Sequence, residues 1–249
     1  MTDEAPRVFR IRRVVVGLDG SRRSRTLLAA AARLAHHLEA QLEGVYVEEE
    51  QWLRTGPTGT IRIVGSYTGT VRSFESADLD REIRSTSRRL AGLLEKMGRK
   101  LQLESTFRKE RGRPQEVLLR AASNAELITL GVVGHTPGGV FRIGSTARAL
   151  AEQSETPLLL LPDGGRISPL VLLVEGNDDE SARSFARALA SGFESSVVPF
   201  RGIRTVQDLL RRLTPGVRGV LVISRNTPLL ARGGLEALLY RSGLPVALV

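Results

Sequence analysis

A glycine-containing segment near the middle of the chain carries residue types that suit phosphate binding. In Leu130–Ala147 (LGVVGHTPGGVFRIGSTA), two residues separate Gly131 from Gly134, and nine more precede the pair Gly144–Ser145. Glycine lets the backbone approach a ligand closely. If Ser145 is the N-cap of the next helix, its hydroxyl and the free amides of the first turn face an anion, with the helix dipole behind them. The pattern predicts a phosphate-binding loop, and an ordinary turn with a helix cap is the alternative.

The elements that would position this loop alternate between short apolar strands and amphipathic helices. The predicted strands are continuous apolar runs: Arg13–Gly17, Leu42–Val47, Leu127–Gly131 and Pro157–Leu161. The predicted helices lie between them: 27–38, 79–97, Gln115–Ser123 behind Pro114, and one that begins near Ser145 and ends before Pro157. This alternation predicts an α/β fold with a doubly wound parallel sheet whose strands are buried on both faces. The alternating run Leu101–Phe107 is predicted as a strand near the sheet edge.

The predicted sheet gathers further polar residues at the same place. In open α/β sheets, ligands bind outside the carboxyl ends of the strands. The glycine-containing loop follows one predicted strand there, and Asp19-Gly20-Ser21 follows the first strand. Asp19 is therefore a second candidate binding residue, with a turn-forming role before a helix as the alternative.

The chain divides at a short polar linker, Pro162–Pro169 (PDGGRISP), after which the strand–helix pattern begins again. Ala125–Val133 resembles Val217–Ser224, and Leu150–Leu161 resembles Leu238–Val249, so the second part reads as an internal repeat. It is shorter by about one strand–helix unit. We predict two tandem open parallel-sheet domains, residues 1–163 and 168–249. The Gly- and Thr-rich stretch Arg54–Ser73 is predicted as a long loop or irregular hairpin.

These motifs together resemble the universal stress proteins. The nucleotide motif of that family is Gly, two residues, Gly, nine residues, Gly, then Ser or Thr, which fits Gly131 to Ser145. Val14–Ser21 (VVVGLDGS) is similar to the first strand and its Asp-bearing turn, and Val45–Leu53 is similar to the second strand with its acidic continuation. Phe107–Gly131 is similar to the third strand, third helix and fourth strand. The resemblance covers roughly residues 8–162 and implies a five-stranded, adenine-nucleotide-binding α/β domain that is usually dimeric.

The resemblance also implies roles for single residues. Gly17, Leu18 and Asp19 would line the ribose, and Asp19 would accept hydrogen bonds from its hydroxyls. The backbone of Val47 would pair with adenine. The implied phosphate cradle consists of Gly131, Gly134, Gly144, Ser145 and Thr146. The chain departs from the family pattern at Val132-Val133, where many members carry Ser followed by His or Arg, and His135 and Arg142 are the neighbouring side chains that would have to compensate.

The second part of the chain lacks this chemistry. Ser224–Leu235 (SRNTPLLARGGL) stands where the glycine motif would be, and it has neither the glycine spacing nor the Gly-Ser pair. The first predicted strand of the second domain is followed by the acidic run Glu175–Glu180 (EGNDDE), which would repel a phosphate. We predict that this degenerate second domain stands in for a dimer partner, with Pro245–Val249 pairing across the interface.

Residues for strong catalysis are scarce. The chain has no Cys and three His, of which the adjacent His36 and His37 point in different directions and are expected at the surface or in helix packing. Glu48-Glu49-Glu50 is either a Mg²⁺ ligand set or a solvated acidic loop, and the loop is the preferred interpretation. Neither a nucleophile elbow nor a Walker lysine is present. We expect no catalytic residues and at most weak ATP hydrolysis.

The net charge of +9 comes from 36 Lys and Arg against 27 Asp and Glu. Such an excess indicates nucleic acid or an anionic membrane as a binding partner, or it reflects only the Arg-rich codon usage of the genome. Residues 1–166 carry 26 cations and 20 anions, and residues 167–249 carry 10 and 7, so the excess follows chain length. We infer no basic patch, although Arg22 and Arg23 lie near the predicted phosphate site. This count argues against a nucleic-acid partner.

The sequence thus predicts an ATP-binding regulatory or stress-response protein, with Mg²⁺ as an optional companion of the nucleotide. The alternatives are a scaffold of the same fold that binds no nucleotide and, as a weaker hypothesis, a basic protein associated with nucleic acid. The expected partners are an adenine nucleotide, an internal pseudo-dimer mate, a second copy of the chain and an unidentified protein. No signal peptide or apolar run long enough for a membrane span is recognised, so the cytoplasm is expected.

Overall fold

A computed structural model describes residues 9–49, 60–64, 71–132, 143–163, 166–176, 179–214 and 216–249, with the backbone alone at 49, 60–64, 71–80 and 232. The strands are β1 (Arg13–Leu18), β2 (Gln41–Glu49), β3 (Thr60–Val64), β4 (Val71–Glu75), β5 (Ser105–Gly112), β6 (Leu127–Gly131), β7 (Leu158–Leu161), β8 (Val171–Val174), β9 (Val197–Phe200), β10 (Val220–Ile223) and β11 (Val246–Leu248). The helices are α1 (Arg22–His37), α2 (Ser76–Leu101), α3 (Pro114–Ala122), α4 (Ser145–Gln153), α5 (Glu180–Gly192), α6 (Val206–Arg212) and α7 (Gly234–Ser242), with a 3₁₀ helix at Pro228–Gly233.

The strands form one nine-stranded sheet in the order β5-β2-β1-β6-β7-β11-β10-β8-β9. Every neighbouring pair is parallel except β7 and β11. Val14, Val15 and Val16 of β1 are fully buried, because helices cover both faces of the sheet. The predicted α/β fold with a mostly parallel sheet is confirmed.

Two hydrophobic layers enclose this sheet. On one face, Leu28 of α1, Leu94 of α2 and Phe185 of α5 pack against the strands. On the other face, α3, α4, α6 and α7 contribute to the second core, with Leu118 and Leu150 among its buried members. In the part of the chain that the structure describes, no helix is long and apolar enough to cross a membrane.

The strand order repeats across the chain. The order β7-β6-β1-β2 in the first half is matched by β11-β10-β8-β9 in the second half, and no second-half unit corresponds to α2 and β5. The two halves meet where β11 pairs antiparallel with β7, from Val246↔Leu160 to Leu248↔Leu158. The predicted domain boundary between residues 163 and 168 stays a prediction.

Some local features differ from the sequence expectations, and others match them. The strand predicted over Leu101–Phe107 is wrong at its start, because α2 continues to Leu101 and β5 begins at Ser105. β5 does lie at the sheet edge, as expected. Within Arg54–Ser73, the structure describes strand β3 and the first residues of β4, which pair antiparallel in a separate two-stranded sheet. Pro114 occupies the first turn of α3, as expected from its fixed φ and missing N–H.

Candidate functional site

The candidate site lies at the carboxyl ends of the two central strands of the first half. β1 pairs with β2 on one side and with β6 on the other, so the strand order reverses direction at β1. The chain leaves β1 toward α1 on one face and leaves β6 toward α4 on the opposite face. Ligands of open α/β sheets bind at such a switch point. This topology brings the Gly17–Asp19 strand end beside Gly131.

Asp19 forms the turn that starts α1. Its Oδ1 accepts a hydrogen bond from the backbone N–H of Ser21 at 2.9 Å and another from the hydroxyl of Ser24 at 2.7 Å. Gly20 has φ +77°, a left-handed conformation that glycine adopts at no steric cost. The turn-forming role that the sequence left open for Asp19 is therefore present. A carboxylate offers about four lone-pair sites, so these two donors do not saturate it.

The start of α4 carries backbone amides that have no acceptor within the helix. Gly144 is the N-cap, with φ −59° and ψ 152°, and Ser145 is the first helical residue, so the prediction of Ser145 as N-cap is wrong by one position. The reason is that the extended Gly144 supplies the first acceptor of the helix, and Arg148 N donates to its carbonyl at 3.0 Å. No side chain caps this end, and no carboxylate lies in its first turn. The N–H groups of Ser145, Thr146 and Ala147 therefore have no acceptor within the helix, and the positive end of its dipole points outward.

The glycines of the site differ in whether close packing against neighbouring side chains excludes a larger residue. A Cβ on Gly17 would lie 2.5 Å from Leu130 Cδ2 and 2.9 Å from Leu118 Cδ1, so packing alone demands glycine there. A Cβ on Gly131 would make an ordinary 3.7 Å contact with Leu27, and one on Gly144 would meet no described atom within 4 Å. Neither Gly131 nor Gly144 has a positive φ. Neither backbone strain nor packing against the described residues explains these two glycines.

Val47 stands just beyond the end of the β1–β2 ladder. The last pair of that ladder is Leu18↔Tyr46. Gln41 N donates toward β1 and Leu42 N toward the β5 side, so the alternation of the strand turns the carbonyl of Val47 toward β1. The carbonyl of Val47 therefore faces the strand end without a partner in the ladder on that side.

The remaining predicted residues have mixed outcomes. Gly134, Val133, His135 and Arg142 lie outside the described residues. Val132 is 1% exposed and belongs to the core against α3 and α4, so its side chain is not available to a phosphate. In the first turn of α1, Arg22 is exposed, whereas Arg23 forms an ion pair with Asp163 at 3.0 Å.

A buried charged group beside the site was missed from the sequence. Glu48 continues β2 and is 5% exposed; its carboxylate pairs with Lys109 Nζ at 2.5 Å and Arg111 Nε at 3.5 Å, both from β5. The prediction of a solvated acidic loop is therefore wrong at Glu48. Burial, followed by the charges of Glu48, Asp19 and Glu82, raises the pKa of Tyr46, which packs beside Gly20. The described residues contain no cluster of three or more Asp, Glu or His that would hold a metal ion.

The corresponding strand ends of the second half are occupied by protein groups. Glu175 pairs with Arg201 at 2.5 Å, and Asp179 caps α5 by accepting from Ala182 N at 3.4 Å. Arg225 follows β10, at the position that Val132 holds after β6: Val132 N donates to Leu161 O, and Arg225 N donates to Val249 O, both at 2.8 Å.

Comparison with known proteins identifies the family of the chain. The model of the universal stress protein family matches residues 10–162. The chain belongs to the universal stress protein family. The crystal structure of a universal stress protein from Archaeoglobus fulgidus DSM 4304 is similar over 96% of this chain and 98% of its own, with 14% identity and a TM-score of 0.62. This likeness concerns the fold.

Other universal stress proteins resemble a smaller part of the chain. One in complex with cAMP has 20% identity and a TM-score of 0.43, and covers 62% of this chain and 99% of its own. Another, from Archaeoglobus fulgidus in complex with dAMP, has 17% identity and a TM-score of 0.38, and covers 61% of this chain and 98% of its own. No curated protein matches the chain.

Proposed function

We propose that this universal stress protein binds ATP between the carboxyl ends of β1 and β6 and has a regulatory, stress-response role with little or no hydrolysis. The observation that carries the proposal is the uncapped start of α4. The amides of Ser145, Thr146 and Ala147 have no acceptor within the helix, and no carboxylate lies in the first turn to neutralise them. Such an end attracts phosphate oxygens.

Two further features support a nucleotide over a free phosphate. The carbonyl of Val47 faces the neighbouring strand end and is placed to accept from an adenine amino group. Asp19, exposed at the end of β1, retains lone pairs for ribose hydroxyls. The unexplained glycines Gly131 and Gly144 then leave room for the phosphates to approach the backbone, and Mg²⁺ would accompany the nucleotide as its counter-ion.

The second half of the chain serves as an internal mate in this proposal. Its antiparallel β11–β7 pair supports a pseudo-dimer within one chain. Its strand ends carry Glu175 and Asp179, which repel phosphate, and Arg225 is directed back into the protein. One nucleotide per chain is therefore expected.

The test compares two variants of one residue. Ser145→Glu puts a carboxylate into the first turn of α4, and Ser145→Gln is the neutral control of similar size. The glutamate complements the helix dipole by about 0.3–1 kcal/mol, so the Glu variant should be at least as stable as the wild type. By calorimetry, ATP should bind the wild type most tightly and the Gln variant more weakly, because the hydroxyl is lost, and the Glu variant should bind at least 10-fold more weakly than the Gln variant. No ATP heat with the wild type, no adenine nucleotide released from denatured protein, or equal binding by both variants would contradict the proposal.

The scaffold without nucleotide remains the second candidate, because Asp19 already serves Ser21 and Ser24. Asp19→Asn separates the two roles. Asparagine keeps an Oδ1 acceptor for the turn but removes the charge and one acceptor from the ribose side. The proposal expects weaker ATP binding by this variant with an unchanged melting temperature, whereas a purely turn-forming Asp19 predicts unchanged binding.

A further inference from the structure

The outer surface of α2 concentrates the positive charge of the chain. Between Arg81 and Lys100 the sequence has seven cations and two anions, a net charge of +5 out of +9 for all 249 residues. Five exposed cations of this segment define the α2 basic stripe: Arg84, Arg88, Arg89, Lys96 and Lys100. The charge count over whole halves of the chain missed this stripe, because it averaged one helix with many neutral elements.

The cations of the α2 basic stripe form no ion pairs with the described residues. Among the described residues, none of its five cations has a carboxylate oxygen within 4.0 Å, whereas neighbouring Arg99 pairs with Glu95 at 2.7 Å. The cations of the adjacent strand β5 are compensated differently: Arg108 pairs with Glu43 at 2.9 Å, and Lys109 pairs with the buried Glu48. The solvent-exposed face of α2 therefore carries five cations without a carboxylate partner among the described residues.

The geometry of the stripe suits a long anion. From Arg84 to Lys100 the helix rises about 24 Å, at about 1.5 Å per residue. Duplex DNA presents one phosphate charge per about 1.7 Å of its axis, so cations spread over this length of the exposed helix face meet several phosphates at once.

The composition of the stripe distinguishes a duplex from other polyanions. The exposed residues without positive charge between these cations are Ser85, Gly92 and Glu95, so the stripe has no apolar side chain to enter a bilayer. The apolar face of α2, with Leu90 and Leu94, is already buried against the sheet. No aromatic residue lies on the stripe for stacking with unpaired bases.

We propose that the α2 basic stripe binds the phosphate backbone of double-stranded DNA without sequence specificity. The stripe lies on the sheet face of α1, whereas α4 and the amides proposed for ATP lie on the other face. DNA binding is therefore separate from the proposed nucleotide site, and Ser145→Glu should leave it unchanged.

The test measures fluorescence anisotropy of a 24-base-pair duplex of arbitrary sequence between 50 and 200 mM KCl. With about five phosphate contacts, log K should fall against log salt with a slope of about −4.5, which is a loss of about 500-fold over this range. Arg88→Gln/Lys96→Gln/Lys100→Gln should reduce the slope to about −2 and weaken binding at 50 mM at least 30-fold. Glutamine is a good helix former, so α2 should persist, which circular dichroism checks.

The matched control removes the same number of charges elsewhere. Arg187→Gln/Arg201→Gln/Arg211→Gln deletes three exposed cations of the second half that already have carboxylate partners. The control should keep the wild-type slope and affinity. No binding at 50 mM, or equal losses in the two triple variants, would overturn the proposal. So would stripe-dependent sedimentation with phosphatidylcholine–phosphatidylserine vesicles without stripe-dependent DNA binding, since the partner would then be a membrane. If the stripe variant misfolds, Arg84→Gln/Arg89→Gln tests the same slope, with an expected value of about −2.7.

Discussion

Arg225 is the best-connected link between the two halves, and its replacement tests whether they fold as one unit. The side chain leaves the end of β10 and donates from Nη1 to the carbonyl oxygens of Leu150 at 3.1 Å and Ala151 at 2.9 Å. From Nη2 it donates to the carbonyl oxygen of Thr156 at 2.5 Å. Leu150 and Ala151 lie in the last turns of α4, where helix carbonyls lack intrahelical donors and a cation complements the dipole. Arg225→Met keeps the apolar stem and removes the charge with all of these bonds.

The expected loss follows from two opposing effects. Hydrogen bonds to a charged group contribute about 1.5–3 kcal/mol each, so three of them favour the folded state by about 5–9 kcal/mol. Burial lowers the pKa of Arg225 to about 10, which corresponds to a desolvation cost of roughly 3 kcal/mol. Arg225→Met should therefore lower the free energy of unfolding by about 2–5 kcal/mol. The guanidinium stays charged at neutral pH, so the effect should be flat between pH 6 and 8.

Urea unfolding followed by circular dichroism measures this loss. Arg218→Met is the control, because Arg218 is exposed and such substitutions usually change stability by less than about 0.5 kcal/mol. If the Arg225 contacts couple the halves, the variant should also show a broader or two-step transition. A change below about 0.5 kcal/mol for Arg225→Met, with a single unchanged transition, would refute the inference that these bonds hold the halves together.

Further predictions concern the α1–α5 contact and the surroundings of Tyr46. Gly192→Val should lower the thermal midpoint, because a Cβ there lies 2.5 Å from Leu38 Cδ2, and such overpacking costs about 1–3 kcal/mol. In a spectrophotometric titration, Tyr46 should deprotonate at a higher pH than an exposed tyrosine, because burial and the neighbouring carboxylates raise its pKa. Since the folded state then holds its proton longer than the unfolded state, stability should fall as pH rises past about 10. Glu48→Gln should move the pKa of Tyr46 back toward its ordinary value, because one of the charges that raise it is gone, and should cost stability by leaving Lys109 unpaired.

The spacing of apolar residues predicted the strands and helices well where that spacing is uniform along the whole element. β1, β6 and α3 follow directly from an apolar run or an amphipathic face. The end of α2 shows the limit of this approach. Leu101 and Leu103 alternate as in a strand, but Leu103 N donates to Gly98 O at 2.9 Å in a helix-terminating turn, with Gln102 at φ 51°. A short alternation across a helix end cannot be told from the start of a strand.

The residue roles that the sequence did not predict depend on contacts with strands that are distant in the chain. Three consecutive glutamates after Val47 suggest a loop, but β5 pairs with β2 as far as Glu49↔Gly112 and so extends the strand. That pairing places Lys109 and Arg111 beside Glu48, and only these cations make its burial tolerable. The roles of Asp19 and Gly144, by contrast, were within reach of the sequence, because both belong to turns made by near neighbours.

The two halves use equivalent positions in opposite ways, and this difference supports a single binding site. After β6, the chain continues through Gly131 and the buried Val132, and α4 begins at Ser145 with no side-chain cap among the described residues. After β10, the position equivalent to Val132 is Arg225, whose guanidinium turns back to the carbonyls at the C-terminal end of the same α4. The second half thus stabilises one end of α4 with a cation of its own, while the opposite end carries the amides that we propose to bind the phosphates. Arg225 of the second half therefore supports the helix that we propose to form the single nucleotide site of the chain.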